Sequence, residues 1–94
     1  MDLRAFKQST ADAAPPEALS SALSAFWYDA KGEWDQAHKL AQSQDDAPGA
    51  WVHAYLHRVE GDLPNADHWY RRAGRPSSSA PLTEEWDEIA SALL

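Results

Sequence analysis

Two histidines, His53 and His57, stand four residues apart, a spacing that puts both imidazoles on one face of a helix, with Glu60 on the same side. Such a pair can grip a divalent metal. The helix-borne motif of zinc hydrolases adds a glutamate directly after the first histidine, but here that position is Ala54. Without a third ligand from the sequence, the pair reads as two surface histidines lying opposite a core face of Val52, Tyr55, Leu56 and Val59. No metal and no cofactor is expected. His38 and His68 have no partner that the sequence identifies. The acidic pairs Asp45–Asp46 and Glu84–Glu85 fall at helix ends, where carboxylates balance helix dipoles and solvate turns. The absence of cysteine excludes disulfides, thiolate catalysis and thiolate-held metals. No Ser–His–Asp arrangement and no glycine-rich phosphate loop stands out, so a non-enzymatic protein is expected.

Recognition chemistry is better represented. Arg71, Arg72 and Arg75 form a basic cluster in a chain of formal charge −7. Guanidinium groups suit a carboxylate or phosphate, although a basic helix C-terminus also favours the helix dipole without any ligand. Five tryptophans occur, one in each expected helix. Most fill the core of a small domain. Trp27, Tyr28 and Trp51 fall at the edges of their helices' apolar stripes, where aromatic side chains line grooves and subunit contacts. Trp27, Tyr28 and Trp51, with Arg71, Arg72 and Arg75, are therefore the candidate binding groove.

The elements that position these residues are helical. Alanine and leucine are abundant, whereas Val52, Val59 and Ile89 are the only β-branched aliphatic residues; the first two types favour helices and the β-branched ones strands. Apolar residues recur at three- and four-residue spacing. This predicts five helices over residues 15–31, 33–44, 48–60, 63–73 and 82–93. Pro15 and Pro16 suit the start of the first, and Gly32, Gly61 and Gly74 stop three of them. Residues 1–14 are expected to be weakly structured, with Phe6 able to reach the core. Residues 74–81, with Arg75, Pro76, three serines and Pro81, read as a mobile loop.

The chain repeats itself at an offset of 29 residues: Gly32-Glu33-Trp34-Asp35-Gln36-Ala37 aligns with Gly61-Asp62-Leu63-Pro64-Asn65-Ala66. In each copy glycine permits a tight turn, a large residue plugs the space beside it, and alanine lets the helix backbones approach. With Tyr28 before the first copy, and Tyr70 and Ala73 after the second, the segment from Leu19 to Gly74 resembles the tetratricopeptide-like superfamily of helical-hairpin repeats. The early W-x2-L-G part of that family's motif is missing, and Ala41 stands where an aromatic belongs. The resemblance implies two stacked antiparallel hairpins with the last helix as a cap, in one domain over residues 15–94. It also implies a non-enzymatic protein- or peptide-binding module, whose partner can be a second copy of itself. The alternatives are a small metal protein or enzyme centred on His53 and His57, and a self-associating structural subunit.

A chain of 94 residues suits one domain. Its acidity disfavours nucleic acid and anionic membrane surfaces as partners. No apolar run reaches the ~20 residues that span a bilayer, and Met1 to Phe6 lack the apolar core of a signal peptide; a cytoplasmic protein is expected. If the repeat aligns as stated, Ala37 and Ala66 sit in helix–helix contacts. Ala37→Leu and Ala66→Leu are then each expected to destabilise by about 1–3 kcal/mol through overpacking, and unchanged thermal melts at both sites would contradict the alignment.

Overall fold

The computed structural model describes all residues from Met1 to Leu94. It contains six helices and no strand: α1 (Leu3–Ser9), α2 (Ser21–Ala30), α3 (Trp34–Ser43), α4 (Ala47–Val59), α5 (Leu63–Ala73) and α6 (Leu82–Leu93). The all-α class agrees with the sequence, and the last four helices start and end within one residue of their expected bounds.

Two departures occur at the N-terminal end. Within residues 1–14, expected to be weakly structured, Leu3–Ser9 form the helix α1. Asp2 caps it, its Oδ1 accepting from Ala5 N at 2.8 Å. Phe6 is wholly buried and stacks on Trp86 at 5.6 Å between ring centroids. The second departure is that α2 begins at Ser21, not at Pro15. Ala18 adopts a left-handed φ of 66°, which a helix cannot contain. Ser20 then caps α2 by accepting from Leu23 N at 3.1 Å. Gln44 Oε1 also accepts from Ala22 N at 2.8 Å, so a residue from the end of α3 satisfies a free donor at the start of α2.

The repeat is visible in the backbone. Gly32 and Gly61 have φ of 80° and 83°, and these left-handed values are the reason for glycine at both positions. Gly32 N donates to Asp29 O and Glu33 N to Tyr28 O. Gly61 N donates to Arg58 O and Asp62 N to His57 O. The partners are related by the same 29-residue offset, and all four bonds are 2.9–3.0 Å. These two-bond closures join α2 to α3 and α4 to α5 as tight hairpins. Ala37 and Ala66, at 0% and 1% exposure, lie inside them as the repeat requires.

The hairpins pack through α3 on α4, and α6 covers α2 and α4. As a result α4 touches α2, α3, α5 and α6. Every residue from Gly49 to His57 is buried, so α4 has no solvent face over two turns. Only Val59, expected in its core stripe, emerges at 39% exposure. The aromatic centre is Phe26, which stacks on Trp86 and meets Tyr55 edge-on. Phe6→Ala, which empties a fully enclosed aromatic site, is expected to cost about 3–5 kcal/mol in a denaturant melt. A loss below 1 kcal/mol would mean that α1 is not part of the folded core.

Candidate functional site

The enclosure of α4 relocates the histidines. His53 and His57 are not surface residues; they are 2% and 4% exposed. They point into the interface with α3, where His38 joins them. His53 Nε2 lies 2.9 Å from His38 Nε2, a distance that requires one ring to donate and the other to accept. The His53 and His57 rings stack at 4.8 Å, and His38 meets His57 at 5.3 Å. One ring nitrogen from each of the three lies within 4.8 Å of the other two.

Indoles hold the trio. Trp34 stacks on His38 at 4.9 Å and meets His57 edge-on at 6.0 Å. Its own Nε1 donates to Leu56 O at 2.8 Å, which fixes the ring against α4. On the other side Trp69 stacks on His53 at 3.9 Å. A recess of about 210 Å³ beside the cluster is lined by Ala50, His53, Trp69 and Arg72, with Asp45 and Asp46 at its rim.

The protonation states follow from burial. Desolvation, then the neighbouring His38 and His57, pushes His53 down to about 3. Desolvation and His57 also lower His38, while Glu60 and Asp35 oppose that shift from outside. Both rings are therefore neutral near pH 7. His57 Nδ1 lies 2.6 Å from Glu60 Oε1, and because a carboxylate accepts, Nδ1 carries the proton. The other ring nitrogen, His57 Nε2, is buried without a hydrogen-bond partner.

The six groove candidates do not form one surface. Trp27 is core, at 1% exposure: α1 and the turn after it cover the ring, and its Nε1 donates to Ser9 O at 3.1 Å. Lys31 closes over the same ring at 5.1 Å while donating to Thr10 O and Asp12 O. Tyr28 is half-buried and meets Trp27 edge-on. Trp51 stands apart, beneath Arg75, whose guanidinium lies 4.0 Å from the ring centroid. Arg72 lies over Trp69 at 5.1 Å and approaches Asp45 at 3.8 Å. Arg71 is exposed, and neither it nor Arg75 has a carboxylate within 4 Å.

Glu85 also departs from expectation. It is a buried acid at 2% exposure rather than a solvated first-turn residue. Arg58 Nη1 donates to its Oε1 at 2.7 Å, and the Tyr70 hydroxyl donates to its Oε2. Arg58 Nη2 reaches Ala80 O at 2.6 Å and so ties the 74–81 connection to α4. Burial, reinforced by Glu85, raises the Tyr70 phenol above its ordinary range.

The sequence did contain a signal for His38. Trp34 and His38 share one face of α3 at i,i+4, as His53 and His57 share one face of α4, and the hairpin stacking implied by the repeat sets helices α3 and α4 side by side. No protein-family model, curated protein or solved structure matches the chain.

A histidine held below its unfolded value of about 6.5 adds stability above that pH, and the stability is lost as pH falls toward the folded value of about 3. Followed by NMR in EDTA, the His53 ring resonances are expected to stay at their neutral positions from pH 8 to pH 5. A midpoint near 6.5 would contradict its enclosure.

Proposed function

We propose that this chain is a non-enzymatic binding module of the helical-hairpin type, and that it takes an acidic peptide segment of a partner protein on the edge formed by Trp51 and Arg75. The resemblance to tetratricopeptide-like repeats motivates the class, and the equivalent glycine turns support it. The observation that carries the proposal is Arg75, a guanidinium laid flat over Trp51 with no carboxylate partner. It borders a recess of about 220 Å³ lined by Trp51, Pro76, Ser77, Ser78, Glu85 and Glu88, of which Glu85 is already paired with Arg58 and Tyr70. Stacking on the indole holds the cation in place, so less side-chain freedom is lost when a carboxylate docks. The serine hydroxyls can pair with a peptide backbone, and Glu88 can accept from its N–H groups. Arg71 and Arg72 extend the positive edge along α5. Of the expected groove, Trp51 and the three arginines remain in this reading; Trp27 and Tyr28 do not. The protein's net charge of −7 keeps nucleic acid an unfavoured partner. No helix is long and apolar enough to cross a membrane.

Titration with a panel of glutamate-rich peptides, followed by tryptophan fluorescence, tests this reading. Saturable binding is expected with acidic peptides and not with lysine-rich controls of equal length. Loss of a hot-spot arginine costs at least about 2 kcal/mol, so Arg75→Ala is expected to weaken binding by about 30-fold or more while the fold is retained. Equal affinity in Arg75→Ala, or no binding across the panel, would overturn it. A solution mass that doubles with concentration, and reverts in Arg75→Ala, would make the acidic partner a second copy of the chain.

A further inference from the structure

We propose that His38, His53 and His57 form a site for one divalent transition-metal ion, zinc by preference, which bridges the two hairpins through α3 and α4. This goes beyond the peptide-binding reading and does not depend on it.

Geometry comes first. Three imidazoles of one zinc site have Zn–N bonds of about 2.0–2.1 Å, which sets tetrahedral nitrogens about 3.3 Å apart. The His38 and His53 Nε2 atoms are already 2.9 Å apart, and a ring nitrogen of each histidine lies within 4.8 Å of the other two. His38 is half-buried at the edge of the cluster, so a small rotation of its ring opens the pair to the required spacing.

The second observation is independent of that spacing and concerns His57. Its side chain is 5% exposed, and its Nε2 is buried with nothing to bond. Leaving a buried polar nitrogen without a partner costs about 1–3 kcal/mol, and a metal ion bound by Nε2 among the three rings removes that cost. Its other nitrogen is held by Glu60 at 2.6 Å. A carboxylate that accepts from Nδ1–H orients the ring and makes the opposite nitrogen a better metal ligand, which is the usual outer-shell arrangement behind a metal-bound histidine.

The proton count closes without an added base. In the His38–His53 pair one Nε2 carries a hydrogen. On metal binding that hydrogen leaves Nε2, and the same ring takes a proton at Nδ1, so both rings stay neutral and no net proton is released near pH 7. Three neutral imidazoles leave the ion's double positive charge uncompensated. Glu60 and Asp35 lie close enough to act on His38 electrostatically and offset part of it. The packed faces of Trp34 and Trp69 supply a shell that restricts the rings' rotation. Three protein ligands leave a fourth position on zinc, open to water or to one exogenous donor.

A competing arrangement shares one residue: His57, Glu60 and Asp62 also bring ligand atoms within 4.8 Å of one another, at the surface. The two differ in His38, which belongs only to the trio.

The test titrates EDTA-stripped full-length protein with zinc chloride and reads heat and bound metal, and with cobalt chloride to read the visible absorption of a tetrahedral site. One ion per chain is expected, with the cobalt intensity of a four-coordinate nitrogen site and a rise in Tm on adding zinc. His38→Gln, at a half-buried position, keeps the fold and is expected to lose at least 100-fold in zinc affinity. Glu60→Gln, which keeps all three ligands, is expected to lose about 10- to 100-fold. Should His38→Gln unfold, Asp62→Asn, which alters only the surface group and is expected to keep full affinity, and the cobalt spectrum of the wild-type protein still decide. No saturable binding at one per chain would overturn the proposal. So would full affinity in His38→Gln, which would assign the ion to the His57, Glu60 and Asp62 surface group. An octahedral cobalt spectrum would overturn it as well.

Discussion

The structure depends on the enclosure of α4. Four helices pack around it, and over two turns all of its residues are buried. A helix in that position must either be apolar all round or have nearly all of its polar groups met by a partner, because a buried polar atom without one, as His57 Nε2 is here, is costly. Here α4 carries His53, His57 and Arg58, so its neighbours are built to receive them. His38 from α3 meets His53, and Glu60 at the C-cap of α4 meets His57. Glu85 from α6 meets Arg58, together with Tyr70 from α5. The polar groups of the central helix thus specify which faces of the surrounding helices turn inward.

The same constraint explains how small and large residues are distributed. Ala37, Ala54 and Ala66 are almost wholly buried where helix backbones approach, and any added methylene there meets a packed neighbour. The bulk removed at these positions is restored by Phe6, Phe26, Trp27 and Trp86, which fill the space between α1, α2 and α6. In a chain of 94 residues this concentration of rings supplies apolar area that a uniformly aliphatic core of the same length would lack. It also explains why α1 folds down. Without Phe6, and without the Ser9 carbonyl that accepts from Trp27, one end of the aromatic layer would face water.

Charge is organised differently inside and out. The Arg58–Glu85 pair buries a carboxylate with both oxygens hydrogen-bonded, which is the condition under which a buried charge is tolerated. Its separation in sequence, α4 to α6, makes it a clasp that brings the last helix onto the hairpins. His38 and His53 are kept neutral by burial. Outside, an acidic surface surrounds one basic edge at the end of α5, where Arg72 and Arg75 lie over Trp69 and Trp51. Cations held over indoles retain their charge while losing freedom, a state suited to meeting an external carboxylate.

Local pattern alone determined the helical class, the bounds of α3 to α6 and the two glycine turns. Each is settled within a few residues: periodic apolar positions, a Pro or Asp at the start, and a glycine that alone adopts φ near 80° cheaply. Tertiary structure decided which faces are buried. The 3.6-residue stripe of α4 identified Val52, Tyr55 and Leu56 as inward and assigned His53 and His57 to water, because a stripe describes a helix with one packed side. With packing on every side, the pattern no longer separates core from surface. The late start of α2 was equally out of reach, since the left-handed Ala18 and the Gln44 side chain that meets Ala22 N come together only in the folded chain. The i,i+4 spacings marked one face of α3 and one of α4, but the contact of His38 with His53 and His57 comes from the packing of the two helices rather than from any spacing along one.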